Sequence, residues 1–112
     1  MTVPWAVTPE KVDAAIQKIV SVEHPRKVIL FGSTVKGSTH LHSDVDLLVV
    51  TEHDVESPRR ASVRIRRALR GIAMPMDILV ISAQRLEALR DQPGLIYGEA
   101  LRHGKVVYEA AA

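Results

Sequence analysis

The stretch SDVDLLVV, Ser43 to Val50, places two aspartates one residue apart at the mouth of a run that is otherwise leucine and valine. Leu47, Leu48, Val49 and Val50 carry no polar alternation, which is the pattern of a strand buried on both faces. Alternate residues of a strand share one side of its sheet, so Asp44 and Asp46 are expected to point the same way. Two carboxylates about 4 Å apart repel by about 4 kcal/mol at an effective dielectric near 20. That is a large part of the roughly 5 to 15 kcal/mol by which a domain is stable. The pair therefore calls for a compensating positive charge.

Working outward, the chain alternates helices and strands without a repeat or a low-complexity tract. Thr8 can cap a helix with Pro9 at its first position, and Val12, Ala15, Ile16, Ile19 and Val20 recur at helical spacing until His24 and Pro25 end it. KVILF reads as a first strand ending at Gly32, VDLLVVT as a second and MDILVIS as a third. Between the last two, SPRRASVRIRRALRG carries an apolar stripe of Ala61, Ile65, Ala68, Leu69 and Ile72, and Gly71 marks its end. Ser82 opens another helix with Leu86 and Leu89 on its inner side. A last helix is expected from about Pro93 to His103, followed by a KVVYE strand. The order predicts an α/β (α+β) fold, a small mixed sheet of at least three strands covered by helices.

Composition narrows the function. The 112 residues suit one small domain spanning 1–112, and the 46% apolar content is ordinary for a globular chain. There is no cysteine, which excludes disulfides, thiolate metal sites and cysteine nucleophiles. The opening MTVPWAVTPE has neither a basic n-region nor an apolar core, and no later segment approaches a membrane span, so no membrane partner and a cytoplasmic location are expected. A net charge of +2 does not by itself argue for nucleic acid.

The first strand runs into FGSTVKGS. Gly32 and Ser33 therefore stand at a strand-to-helix turn, where free backbone N–H groups favour a phosphate. Eleven residues after Ser33 comes Asp44, then Asp46, and Asp77 enters the third strand in the corresponding place. Three carboxylates at the mouths of neighbouring strands, beside a phosphate-binding turn, suit two hard divalent ions and in-line phosphoryl displacement. Magnesium is the expected ion, with manganese as its substitute.

GSTVKGSTHLHSDVDLLVV resembles the G-S-x-x-x-G…S-D-x-D-L-x-V signature of the polymerase-beta-type nucleotidyltransferases. Nearly the whole chain, to ALRHGKVVYE, is similar to their minimal bacterial members. The resemblance implies transfer of a nucleoside monophosphate from an NTP, usually ATP, with pyrophosphate leaving. It implies that Gly32 and Ser33 bind the triphosphate, that Asp44 and Asp46 ligate both metals, and that Asp77 ligates the catalytic metal and helps activate the acceptor hydroxyl. Lys36 stands where the family commonly has arginine, and a lysine meets phosphate as a point charge without the bidentate fork. Larger relatives grip the acceptor with a second domain, for which this chain has no room. Among minimal members the resemblance points to two-gene systems in which the enzyme adenylylates a helical HEPN-type ribonuclease toxin.

Blander readings stand beside these. A single aspartate at a strand entrance is commonly a turn former, and only the joint placement of three points to chemistry. His40 and His42 flank the motif but read as exposed loop residues. GSTVKGST has the outline of a P-loop, yet Ser38 occupies the position that motif gives to lysine. D-x-D pairs also serve sugar-nucleotide transferases, whose folds need far more chain. The non-enzymatic rival is a nucleotidyltransferase-like binding module or antitoxin acting by complex formation. Arg59, Arg60, Arg64, Arg66, Arg67 and Arg70 crowd one helix, as a solvated face or as a surface for an acidic partner.

Overall fold

The computed structural model describes residues 4–32, 44–52 and 57–111. In chain order the elements are α1 (Pro9–Glu23), β1 (Lys27–Phe31), β2 (Val45–Thr51), α2 (Pro58–Ala68), β3 (Met76–Ser82), α3 (Ala83–Leu89), α4 (Ile96–His103) and β4 (Lys105–Glu109). The four strands form one mixed sheet in the order β3-β2-β1-β4. β1 runs antiparallel to both of its neighbours, while β2 and β3 are parallel. A parallel pair needs a crossover, and α2 supplies it.

Local signals account for most element ends. Thr8 Oγ1 accepts from the Lys11 backbone N–H at 3.2 Å, with Pro9 in the first turn of α1. His24 closes that helix at φ 46°, its N–H donating to the Val20 carbonyl at 3.0 Å. Ser57 and Ser82 cap α2 and α3 in the same way, accepting from the N–H groups of Arg60 and Arg85, each at 3.2 Å. The last helix departs from expectation. It starts at Ile96 rather than near Pro93, because Gly94 adopts φ +83°, which turns the chain and cannot belong to a right-handed helix.

β2 lies inside the sheet and has a core on each side. Val45, Leu47 and Val49 pack with Ala15 and Ile19 of α1, Ile65 of α2 and Ile78 of β3. Leu48 and Val50 pack on the other face with Ile29, Phe31, Ile81, Leu86 of α3 and Ala100 of α4. This explains the unbroken Leu-Val run: both sides of the pleat are covered. β4 is an edge strand whose register on β1 skips Val107, a bulge of the kind that bends an edge away from further pairing.

The exposed side of α2 is costly in charge. Arg60 and Arg64 stand four residues apart, and such a like-charge pair disfavours a helix by about 0.2 to 0.5 kcal/mol. The pair is relieved: Arg64 donates to the two carboxylate oxygens of Glu23 on α1, at 2.8 and 3.3 Å. That pairing raises the Arg64 pKa. Among the described residues no helix is long and apolar enough to cross a membrane.

Candidate active site

The parallel register of β2 and β3 sets Asp46 directly beside Asp77. The antiparallel register of β1 and β2 sets Asp46 opposite Phe31. Residues 46, 48 and 50 of β2 and 77, 79 and 81 of β3 share the face that α3 and α4 cover further along. Both aspartates therefore project on that face at the strand mouths, beyond the helices. Asp44 precedes the first residue of β2 and is close enough for its charge to act on Asp46. The strand mouths are held together by the main chain, since the Val45 N–H donates to the Pro75 carbonyl at 2.9 Å.

The carboxylates differ in environment. Asp44 and Asp77 are exposed and Asp46 is half-buried, so the site is more open than buried strand ends would make it. The pKa of Asp46 is raised, first by burial, then by the charges of Asp77 and Asp44. Each cause penalises the ionised form, and a cation placed among the three would remove the penalty.

Gly32 follows the last residue of β1 with φ +83°, a conformation that favours glycine. A Cβ built there would run into Asp46 Oδ2 and approach its Cγ to 3.2 Å. Glycine is thus required by the carboxylate next door as well as by the turn. The sequence offered a phosphate as the reason for this residue; the structure gives a protein contact that explains it without one. Ser33 and Lys36 lie outside the described residues, as do His40 and His42.

Two supports escaped sequence reasoning. Lys11 Nζ donates to the carbonyls of Pro4, Ala6 and Ala73, each at 2.8 Å, tying the segment before α1 to the connection that leads into β3. The Pro75 carbonyl then fixes Val45, as above. Neither is a motif. A lysine three residues beyond a helix cap carries no sign of an interaction 62 positions away.

The donor set is all oxygen, which suits a hard ion such as magnesium or manganese. Among the described residues no three carboxylates or imidazoles are grouped so as to hold a metal ion by themselves. Open, incomplete protein ligation is the usual state for magnesium, whose remaining positions are filled by water and substrate phosphates. The residues present fit such an ion. A cleft of about 580 Å³ between α1 and β4 is lined by Val12, Ile16, Leu30 and Val106, on the opposite side of the sheet, and includes none of the three aspartates.

Comparisons with known proteins bear on the family and the fold. Residues 14–112 match the family model for "Polymerase beta, Nucleotidyltransferase". No curated protein matches the sequence closely enough to count as a relative. Among solved structures, the chain is similar to a candidate nucleotidyltransferase from Sulfolobus solfataricus, with 14% identity, a TM-score of 0.52, and coverage of 92% of this chain and 90% of that one. It is also similar to a chain of a toxin-antitoxin structure with AMP-PNP, with 20% identity, a TM-score of 0.56, and coverage of 86% and 72%. At these identities the structural likeness speaks for the fold alone. The family match covers most of the chain, and with the mixed sheet and its strand-mouth aspartates it leads to one conclusion: the chain belongs to the polymerase beta nucleotidyltransferase family.

Proposed function

We propose that the protein transfers a nucleoside monophosphate, AMP from ATP, to a hydroxyl group on a separate partner protein. The observation that carries this reading is the lateral pairing of Asp46 with Asp77 at the strand mouths, with Asp44 close by and the Gly32 backbone against Asp46. Asp44 and Asp46 would hold two magnesium ions, and Asp77 one of them. Magnesium, when bound, neutralises the triphosphate and the developing charge on the leaving group.

The chain's own groups have distinct tasks. Gly32 leaves space for the Asp46 carboxylate to sit against the turn, and Ser33 and Lys36 are assigned to the triphosphate. Asp77, exposed at the edge strand, accepts the proton of the acceptor hydroxyl. The hydroxyl oxygen bonds to the α-phosphorus, the bond from that phosphorus to the α–β bridging oxygen breaks, and pyrophosphate departs. A protein acceptor is favoured over single-stranded nucleic acid by an aromatic content of 4%, too little for a base-stacking platform. The likeness to a toxin-antitoxin chain supports a partner, for which a helical HEPN-type protein is the proposed identity. Such a pair would work in the cytoplasm.

One observation favours a second reading. Among the described residues the three aspartates are not grouped so as to hold a metal ion by themselves, as would suit a binding module that neutralises its partner by complex formation alone. The two readings separate in one experiment. The protein is incubated with magnesium, the protein encoded next to it, and ATP labelled at either the α or the γ phosphate. Transfer predicts α label on the partner, no γ label, and loss of both label and pyrophosphate in Asp77→Asn. An unlabelled but tightly bound partner would establish the binding module instead.

A further inference from the structure

The α2 helix turns Ala61 and Ile65 into the core, and its opposite side is organised rather than merely charged. At 100° per residue Val63 falls at the middle of that outer side, flanked by Arg59, Arg60, Arg66 and Arg67, with Arg70 in the turn just beyond the helix. Val63 is 42% exposed. A groove of about 460 Å³ runs past Arg59, Arg60, Val63 and Arg67. Among the described residues, only Arg64 of this helix has a carboxylate partner in an ion pair. An apolar centre with a cationic rim is the layout of a docking surface, and five crowded guanidinium groups select a partner of opposite sign.

The far end of this surface comes level with the strand mouths, on the face of the sheet opposite the one on which Asp77 projects. Arg66 in the last turn of α2 and Arg70 just beyond it line a second cleft of about 210 Å³ with Met76 and Ile78 of β3, the strand that carries Asp77. β3 is an edge strand, so a partner held on α2 has an open margin around which to extend toward Asp77.

We propose that the outer face of α2 docks an acidic amphipathic helix of the acceptor protein, an apolar side chain on Val63 and carboxylates on the surrounding arginines. This rests on the reading that the acceptor is a separate protein. A helix is the fitting shape because the lining side chains all come from α2 and its cap, a single apolar anchor with charges at helical spacing around it. No residue of α2 is aromatic, so the face gives bases nothing to stack on.

The test uses the full chain and a fluorescent synthetic helix with leucines on one side bordered by glutamates. A lysine version, a leucine-free glutamate peptide and an RNA hairpin serve as competitors. The acidic amphipathic helix is expected to bind saturably. The double variant Arg59→Glu, Arg67→Glu should weaken it by at least about tenfold, with Arg59→Gln, Arg67→Gln intermediate and Arg26→Glu unchanged. Circular dichroism confirms that each variant is folded. Absence of binding, indifference to the double variant, equal binding of the leucine-free peptide, or tighter binding of RNA would each overturn the proposal. Asp46→Asn should bind the helix as wild type does while failing to transfer label. A wild type that docks the helix but labels no partner would therefore count against the catalytic reading alone, and a wild type that labels its partner without docking the helix against this one alone.

Discussion

Replacing Gly32 separates two reasons for a glycine that usually cannot be told apart. Gly32→Ala puts an L residue at φ +83°, which costs about 1 to 2 kcal/mol. Its Cβ also enters the space of Asp46 Oδ2, and the carboxylate must rotate from its rotamer at a further cost of about 0.5 to 1.5 kcal/mol. The sum, about 1.5 to 3.5 kcal/mol, leaves a folded protein if stability lies in the usual range of about 5 to 15 kcal/mol. The site suffers more, because a displacement of about 1 Å in a positioned group can cost on the order of 10²-fold in rate. Gly32→Asn is the control. Asparagine tolerates the left-handed region better, so part of the stability returns, but its Cβ meets the same oxygen. Urea unfolding gives the stability of both variants, and label transfer gives their activity. Both are expected to lose activity by about two orders of magnitude while Asn is the more stable of the two. Full activity in either variant would refute the contact between residue 32 and the Asp46 carboxylate as a requirement of the site.

Two further substitutions bear on stability. The raised pKa of Asp46 means that the folded state holds its proton more tightly than the unfolded chain, so wild-type stability falls as pH rises through the folded-state value. Asp46→Asn should therefore stabilise the ligand-free protein at pH 7, by about 1 kcal/mol for a partly exposed cluster, and the gain should vanish near pH 3, below the ordinary aspartate value of 3.8. A pH-independent difference in urea midpoint would contradict this. Ile65, fully buried between α2 and the sheet, should cost about 2 to 5 kcal/mol when changed to Ala, and a loss under about 1 kcal/mol would show that α2 is less firmly packed than described.

The helices and strands were legible because their signals are local. Thr8-Pro9, Ser57-Pro58 and Ser82 carry their caps within three residues, and the Leu-Val run of β2 announces burial on both faces. What sequence could not supply is pairing. Nothing in KVVYE says that it joins β1 on the side away from β2, and nothing near Gly32 says that Asp46 occupies the space a side chain would need. The start of α4 was misplaced because Pro93 satisfies the rule for a first helical position, while the backbone of Gly94 overrides it. The adjacency of Asp46 and Asp77 could be anticipated from their like positions at strand entrances, but the parallel register that produces it depends on the α2 crossover and on the Pro75 carbonyl.

The central claim, that Asp44, Asp46 and Asp77 form an ion-dependent nucleotide site, is tested most directly by manganese binding. Electron paramagnetic resonance reads free Mn²⁺ as the protein is titrated in the presence of a non-hydrolysable ATP analogue. The wild type should take up manganese together with the nucleotide, and Asp46→Asn should weaken that uptake at least about tenfold, since it removes a charged ligand shared by the ions. Equal uptake by the two proteins would contradict the claim.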